Sequence, residues 1–172
     1  TLGERNERTL RAMNALAAAL GARGQYSTSE SQKRSVLEIQ RRVLGEEHPH
    51  TLDSMTSLAI ALDDSGKYTE AEGLNRQVLD IRRRVLGEDH PEMLGLMNNL
   101  AVALNKQGKY RQGAEMFQKT LEIQRRVLGE EHPDTLGSIN NLASTLLELG
   151  RYAEAEGLNR QVLDIRRRVL GE

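Results

Sequence analysis

The chain has no cysteine and no tryptophan. Without Cys there is no disulfide framework and no thiolate chemistry, which suits a reducing, cytoplasmic setting. Aromatic residues are only 3% of the total, too few for base-stacking platforms. Charge of one sign is also missing. The 24 basic and 25 acidic residues leave a net charge of −1, so no long-range field draws in DNA, RNA or an anionic membrane. No apolar run approaches the ~18 residues of a membrane helix. There is no Gly-rich phosphate loop followed by Lys and Ser or Thr, and no Ser/His/acid set stands apart from its surroundings. No enzyme activity, cofactor or metal is therefore expected. Proline occurs three times, at Pro49, Pro91 and Pro133.

Those prolines are 42 residues apart, and so is almost everything else. The stretch Arg41 to Leu52 returns as Arg83 to Leu94 and as Arg125 to Leu136. A fixed period of this length marks stacked repeats, each one supersecondary unit. The repeats run approximately 6–47, 48–89, 90–131 and 132–172 of a single array. Both ends fall at the same phase, which reads as a segment of a longer array. Glycines punctuate each period twice. Gly24, Gly66, Gly108 and Gly150 precede Tyr26, Tyr68, Tyr110 and Tyr152 by two residues, and Gly3, Gly45, Gly87, Gly129 and Gly171 mark the other joint.

Two stops per period leave two helical segments. In repeat 2 the first runs from about Pro49 to Ser65. Its apolar residues Leu52, Met55, Leu58, Ala59 and Leu62 make one face, and Pro49 suits a first helical turn. The second runs from about Thr69 to Val85, with a stripe of Ala71, Leu74, Val78, Ile81 and Val85. Basic residues 82–84 complement its carbonyl end. Thr69 with Glu72, and Ser27 with Glu30, have capping-box spacing. Small residues recur where helices approach closely: Ala17, Ala59, Ala101 and Ala143 on the first helix, and Ala71, Gly113 and Ala155 on the second. Leu16, Leu58, Leu100 and Leu142 fill the adjoining layer. Each repeat is a helical hairpin, and stacking buries the faces that one hairpin leaves open.

Repeat 1 deviates. Ser29 replaces the close-packing Ala, and Gln32 stands at the Leu74 position, as suits an end repeat with a polar face. Conversely, Gly73 to Glu88 and Gly157 to Glu172 are identical, the trace of a duplication.

The conspicuous polar residues of the joint read as structure. His48, His90 and His132, one per stacked repeat, cannot converge on one ion and instead mark helix starts. The Arg runs are each followed by acidic residues, which points to ion pairs between repeats rather than a phosphate ladder. The Asn pairs, Asn98-Asn99 and Asn140-Asn141, are not explained by helix propensity. An Asn amide donates and accepts, so it can bracket the backbone of an extended peptide, or it can bond across to the neighbouring helix and hold the stack in register.

Asn-Asn-Leu-Ala (Asn98 to Ala101), Gln-Gly-Lys-Tyr (Gln107 to Tyr110) and the Val-Leu-Gly-Glu-Glu-His-Pro-Asp-Thr joint together resemble the tetratricopeptide repeat. The nearest variety is the 42-residue one of kinesin light chains and of repeat tails linked to NB-ARC or NACHT NTPases. The resemblance implies an all-α, right-handed superhelix of four antiparallel hairpins. It implies a protein-interaction scaffold whose first helices line a concave groove for a peptide or partner segment. By family phasing the groove residues are Asn14, Thr56, Asn98, Asn99, Val102, Asn105, Asn140 and Asn141. A clamp that some relatives use for a terminal carboxylate would fall on Thr56, Ile60, Asn99, Gly137 and Asn141. Only the Asn99 position matches, and Gly95 and Gly137 leave the wall open and uncharged. The alternatives are a structural array that associates end to end, or the regulatory tail of a signalling NTPase.

Overall fold

A computed structural model describes residues 2–87 and 90–170. Eight α-helices follow one another: α1 (Leu2–Ala22), α2 (Tyr26–Leu44), α3 (Pro49–Asp64), α4 (Tyr68–Leu86), α5 (Pro91–Lys106), α6 (Tyr110–Val127), α7 (Pro133–Glu148) and α8 (Tyr152–Leu170). No strand occurs among the described residues. The chain forms two compact units, Thr1–Ile81 and Arg82–Glu172, and within each consecutive helices pack on one another.

Helices α3, α5 and α7 start at the His-Pro steps for a reason visible in the caps. His48, His90 and His132 are extended, and each imidazole Nδ1 accepts from the backbone N–H two residues on. The acceptor distances are 3.2 Å to His50, 3.3 Å to Glu92 and 3.2 Å to Asp134. The next residue, Pro, has no N–H to leave unpaired. In unit 2 the joint is also tied by Thr135, whose buried hydroxyl donates to the Gly129 carbonyl at 2.8 Å. Gly66 closes α3 with φ 80°, while the Lys67 N–H bonds back to the Leu62 carbonyl at 2.8 Å.

Several sequence expectations change. Gly3 does not end a helix but lies inside α1. Glu7 stands where the other repeats have Pro, so nothing interrupts the first helix there. Gly171 lies outside the described residues. Ser27 and Thr69 are not caps. Helices α2 and α4 begin at Tyr26 and Tyr68, which puts both hydroxyl residues inside the first turn. Their Glu partners turn elsewhere: Glu30 to Arg34 and Lys67, Glu72 to Arg76.

The core of unit 1 contains Met55, Leu58 and Leu62 of α3 with Val36 of α2 and Ala71 and Val78 of α4, all buried. In unit 2, Phe117, Leu121, Ile139, Leu142, Leu146 and Val162 form one cluster. Leu16 departs from its layer and is exposed, because no described helix precedes α1 to cover it. Val85 is also exposed, as are Val43, Val127 and Val169 at the same phase. Helices α2 and α4 have 19 residues against 16 for α3, so their last turn overhangs by about 4.5 Å. Ser29 keeps its close-packing place by donating to the Ala17 carbonyl at 2.6 Å.

Candidate groove between α5 and α7

Several charged residues of the joint tie it to a neighbouring hairpin. Within unit 1, Arg41 pairs with Glu46 at 2.9 Å and Gln77 donates to the same carboxylate at 2.7 Å. Within unit 2 the equivalent Arg125 pairs with Glu130 at 3.2 Å and donates to Gln161 at 3.2 Å. Arg168 adds a pair with Glu131 at 2.7 Å. These groups are half-exposed, so each pair contributes little energy, ~0–1 kcal/mol, and mainly fixes register. No group of three or more potential metal ligands occurs among the described residues.

The quieter helices carry the concavity. In unit 2, α5 and α7 form the walls and the end of α6 the floor of a pocket of about 500 Å³. Its walls are Leu94, Gly95 and Asn98 from α5 and Gly137, Ser138 and Asn141 from α7. Gln124 and Leu128 form the floor, and the rim carries Glu92 and Asp134. Asn141 Nδ2 donates to Asn98 Oδ1 at 3.2 Å, so the two amides bridge the walls. Each amide keeps bonding capacity to spare. The bridge holds the helices in register and places both amides at one opening, so the two sequence readings of the Asn pairs are compatible. A Cβ added at Gly95 or Gly137 would meet nothing within 4 Å, which leaves the walls low at that level.

Unit 1 repeats this arrangement 84 residues earlier. Helices α1 and α3 with the end of α2 enclose about 610 Å³, and Asn14, Gln40 and Ser54 hold the places of Asn98, Gln124 and Ser138. Asn14 Nδ2 donates to Ser54 Oγ at 3.4 Å. The walls differ: Arg11 and Asp53 stand where unit 2 has Gly95 and Gly137.

The eight candidate residues therefore separate. Asn98 and Asn141 share the unit 2 groove, and Asn14 lines its counterpart. Thr56 donates to the Leu52 carbonyl at 3.0 Å, a bond within its own helix. Val102 packs against the unit 2 core. Asn105 donates to Thr145 Oγ1 at 2.6 Å, linking α5 to α7. Asn99 and Asn140 are half-buried and outside the pocket lining. Two buried polar residues of the groove escaped the sequence reading. Ser138 and Gln124 are buried, and Gln124 comes from a second helix rather than a first. A signal existed: this position alternates as Gln40, Arg82, Gln124 and Arg166.

Among solved structures the chain is similar to a kinesin-light-chain-type protein of nearly identical TPR-like repeats from Podosopora anserina. It shares 32% identity with two structures of that protein. Their TM-scores are 0.86 and 0.82, over 95% and 93% of this chain and 77% and 76% of theirs. BtubC (BKLC) from P. vanneervenii has the same fold, with 20% identity, a TM-score of 0.85, and coverage of 97% of this chain and 66% of that one. Tetratricopeptide repeat family models match residues 9–50 and 51–92, and a second such model matches residues 92–168. No curated protein sequence matches the chain.

Proposed function

We propose, from the premise that the chain belongs to the tetratricopeptide repeat family, that it is a protein-interaction scaffold holding an extended partner segment in the α5–α7 groove. Repeats of this family generally mediate protein–protein interaction. No described helix is long and apolar enough to cross a membrane. The observation that carries the finer reading is the convergence of Asn98, Asn141, Gly95 and Gly137 on one concave surface. A preformed groove needs little ordering to bind, which favours affinity. Its amides can bracket a backbone without demanding a side chain. The α1–α3 groove, with Arg11 and Asp53 in its walls, is a second site of altered selectivity.

The test is selection of a random displayed peptide library on the chain. Peptides enriched by the groove should bind at micromolar Kd and lose tenfold or more on Asn141→Ala or Asn98→Ala, with each variant's Tm checked. Enriched peptides that bind both variants as they bind the parent would move the site elsewhere.

A further inference from the structure

The floor of the groove holds a buried amide oxygen that the fold itself leaves without a partner. Gln124 is 4% exposed and lines the pocket, yet its Oε1 has no hydrogen-bond partner. Gln40, 84 residues earlier, repeats the observation: 5% exposed, lining the α1–α3 groove, Oε1 again without a partner. Beside it, Asn14 Oδ1 is also buried and unpaired. An unpaired buried acceptor is costly because it forfeits its hydration. Those of Gln32, Asn75 and Asn105 line neither groove, whereas Gln124 and Gln40 do, and leucine would pack there with no such cost.

We propose that Gln124 is a ligand-contacting residue that hydrogen-bonds the main chain of a bound extended peptide. Gln40 does the same in the α1–α3 groove, so each chain carries two subsites of one chemistry. This rests on the groove reading above and names the part of the ligand that is read. A carboxamide has a donor edge and an acceptor edge, and a peptide group satisfies both; an ammonium or a carboxylate satisfies one. Which edge faces the groove is set by the bonds available, since the amide can turn over. The α5–α7 lining contains no Lys or Arg to recruit an anion. Gly95 and Gly137 leave room for a main chain at the walls, as no atom beyond their own helical turn and chain neighbours lies within 4 Å of a Cβ placed on either.

The experiment follows side-chain amide signals of the ¹⁵N-labelled chain during titration with acetyl-(Ala-Gly)₃-amide, a probe with almost nothing but backbone. A second titration uses the same peptide N-methylated at each Ala. The Gln124 and Gln40 signals should shift with the first peptide, and the methylated one should bind at least tenfold more weakly. Gln124→Leu should lose the shifts at Asn98 and Asn141 while Tm holds or rises; Gln124→Met serves if the branched side chain misfolds. If Asn98 and Asn141 shift while Gln124 does not, the Gln124 assignment fails and the groove reading stands. If no groove signal moves and library-selected peptides ignore Asn141→Ala, both fail. A Tm drop of several degrees in both Gln124 variants would make the residue structural and overturn the proposal.

Discussion

The Lys67 ammonium donates to both carboxylate oxygens of Glu30, each at 2.9 Å. Lys67 lies in the turn before α4 and Glu30 is buried on α2, so the bond joins successive hairpins of unit 1. Burial alone would raise the Glu30 carboxyl's pKa. The hydrogen bonds from Lys67 and Arg34 outweigh it and hold the group below its ordinary value of 4.5. A depressed folded-state pKa means the bond's stability is fully present above the unfolded value and fades as pH falls through the folded one. Glu30→Gln should therefore cost about 1–2 kcal/mol at pH 7, as charge-assisted bonds do. As pH falls below 4.5 and through the lowered folded-state pKa, the variant and the parent should converge. Urea unfolding at stepped pH measures this; a difference that is constant with pH would refute it.

Gly113 sits where Ala71 and Ala155 sit in other repeats, and the neighbour explains the smaller residue. A Cβ there would collide with the Asn105 amide and lie 3.3 Å from the Ala101 carbonyl oxygen. Asn105 cannot swing away without losing its bond to Thr145. Gly113→Ala should thus lose about 1 kcal/mol despite alanine's better helix propensity. Gly113→Ala with Asn105→Ala should be more stable than the sum of the single changes predicts. A double-mutant cycle with no coupling would show that the amide relaxes freely.

The fold was legible because its signals are redundant. The Pro49, Pro91 and Pro133 starts and the glycine stops agree with the apolar stripes in repeats 2 to 4. Where one signal dropped out, as at Glu7, the boundary moved. The groove was legible only in part. Family phasing puts Asn98 and Asn141 in different columns, yet they meet, being 43 residues apart rather than 42. The Asn105–Thr145 bond spans 40. Residues of equivalent helices thus meet one residue beyond or two residues short of the sequence repeat, which a period cannot reveal. Gln124 was hidden for a different reason: its meaning lies in a missing partner, and a sequence does not display partners.

Two glycines of unit 2 give opposite signs for the same substitution. Gly150 has φ 72°, so Gly150→Ala should cost about 1–2 kcal/mol of left-handed strain. Gly157 lies inside α8 with open space around its Cα, so Gly157→Ala should add about 0.5–1 kcal/mol. Tm shifts of the same sign would contradict the assigned helix boundary between them.

His132 should behave as a cap and not as a ligand. His132→Ala removes the acceptor for the Asp134 N–H and should cost about 1 kcal/mol, while His132→Asn keeps an acceptor and recovers most of it. Added zinc should leave the Tm of all three proteins unchanged; a zinc-dependent rise in the parent alone would restore a metal role.

Gly95 and Gly137 connect stability to binding. Both are interior to helices with ordinary room for a methyl group, so each →Ala change should gain about 0.5–1 kcal/mol. If the glycines serve only the fold, that gain is the whole effect. If they keep the groove walls low for a partner's main chain, the same substitutions should weaken groove-selected peptides by tenfold or more. Gly157→Ala, outside this groove, should not. Measuring Tm and Kd on the three variants separates the cases. A protein that becomes more stable at Gly95 and Gly137 without losing affinity would show that the partner does not approach these walls.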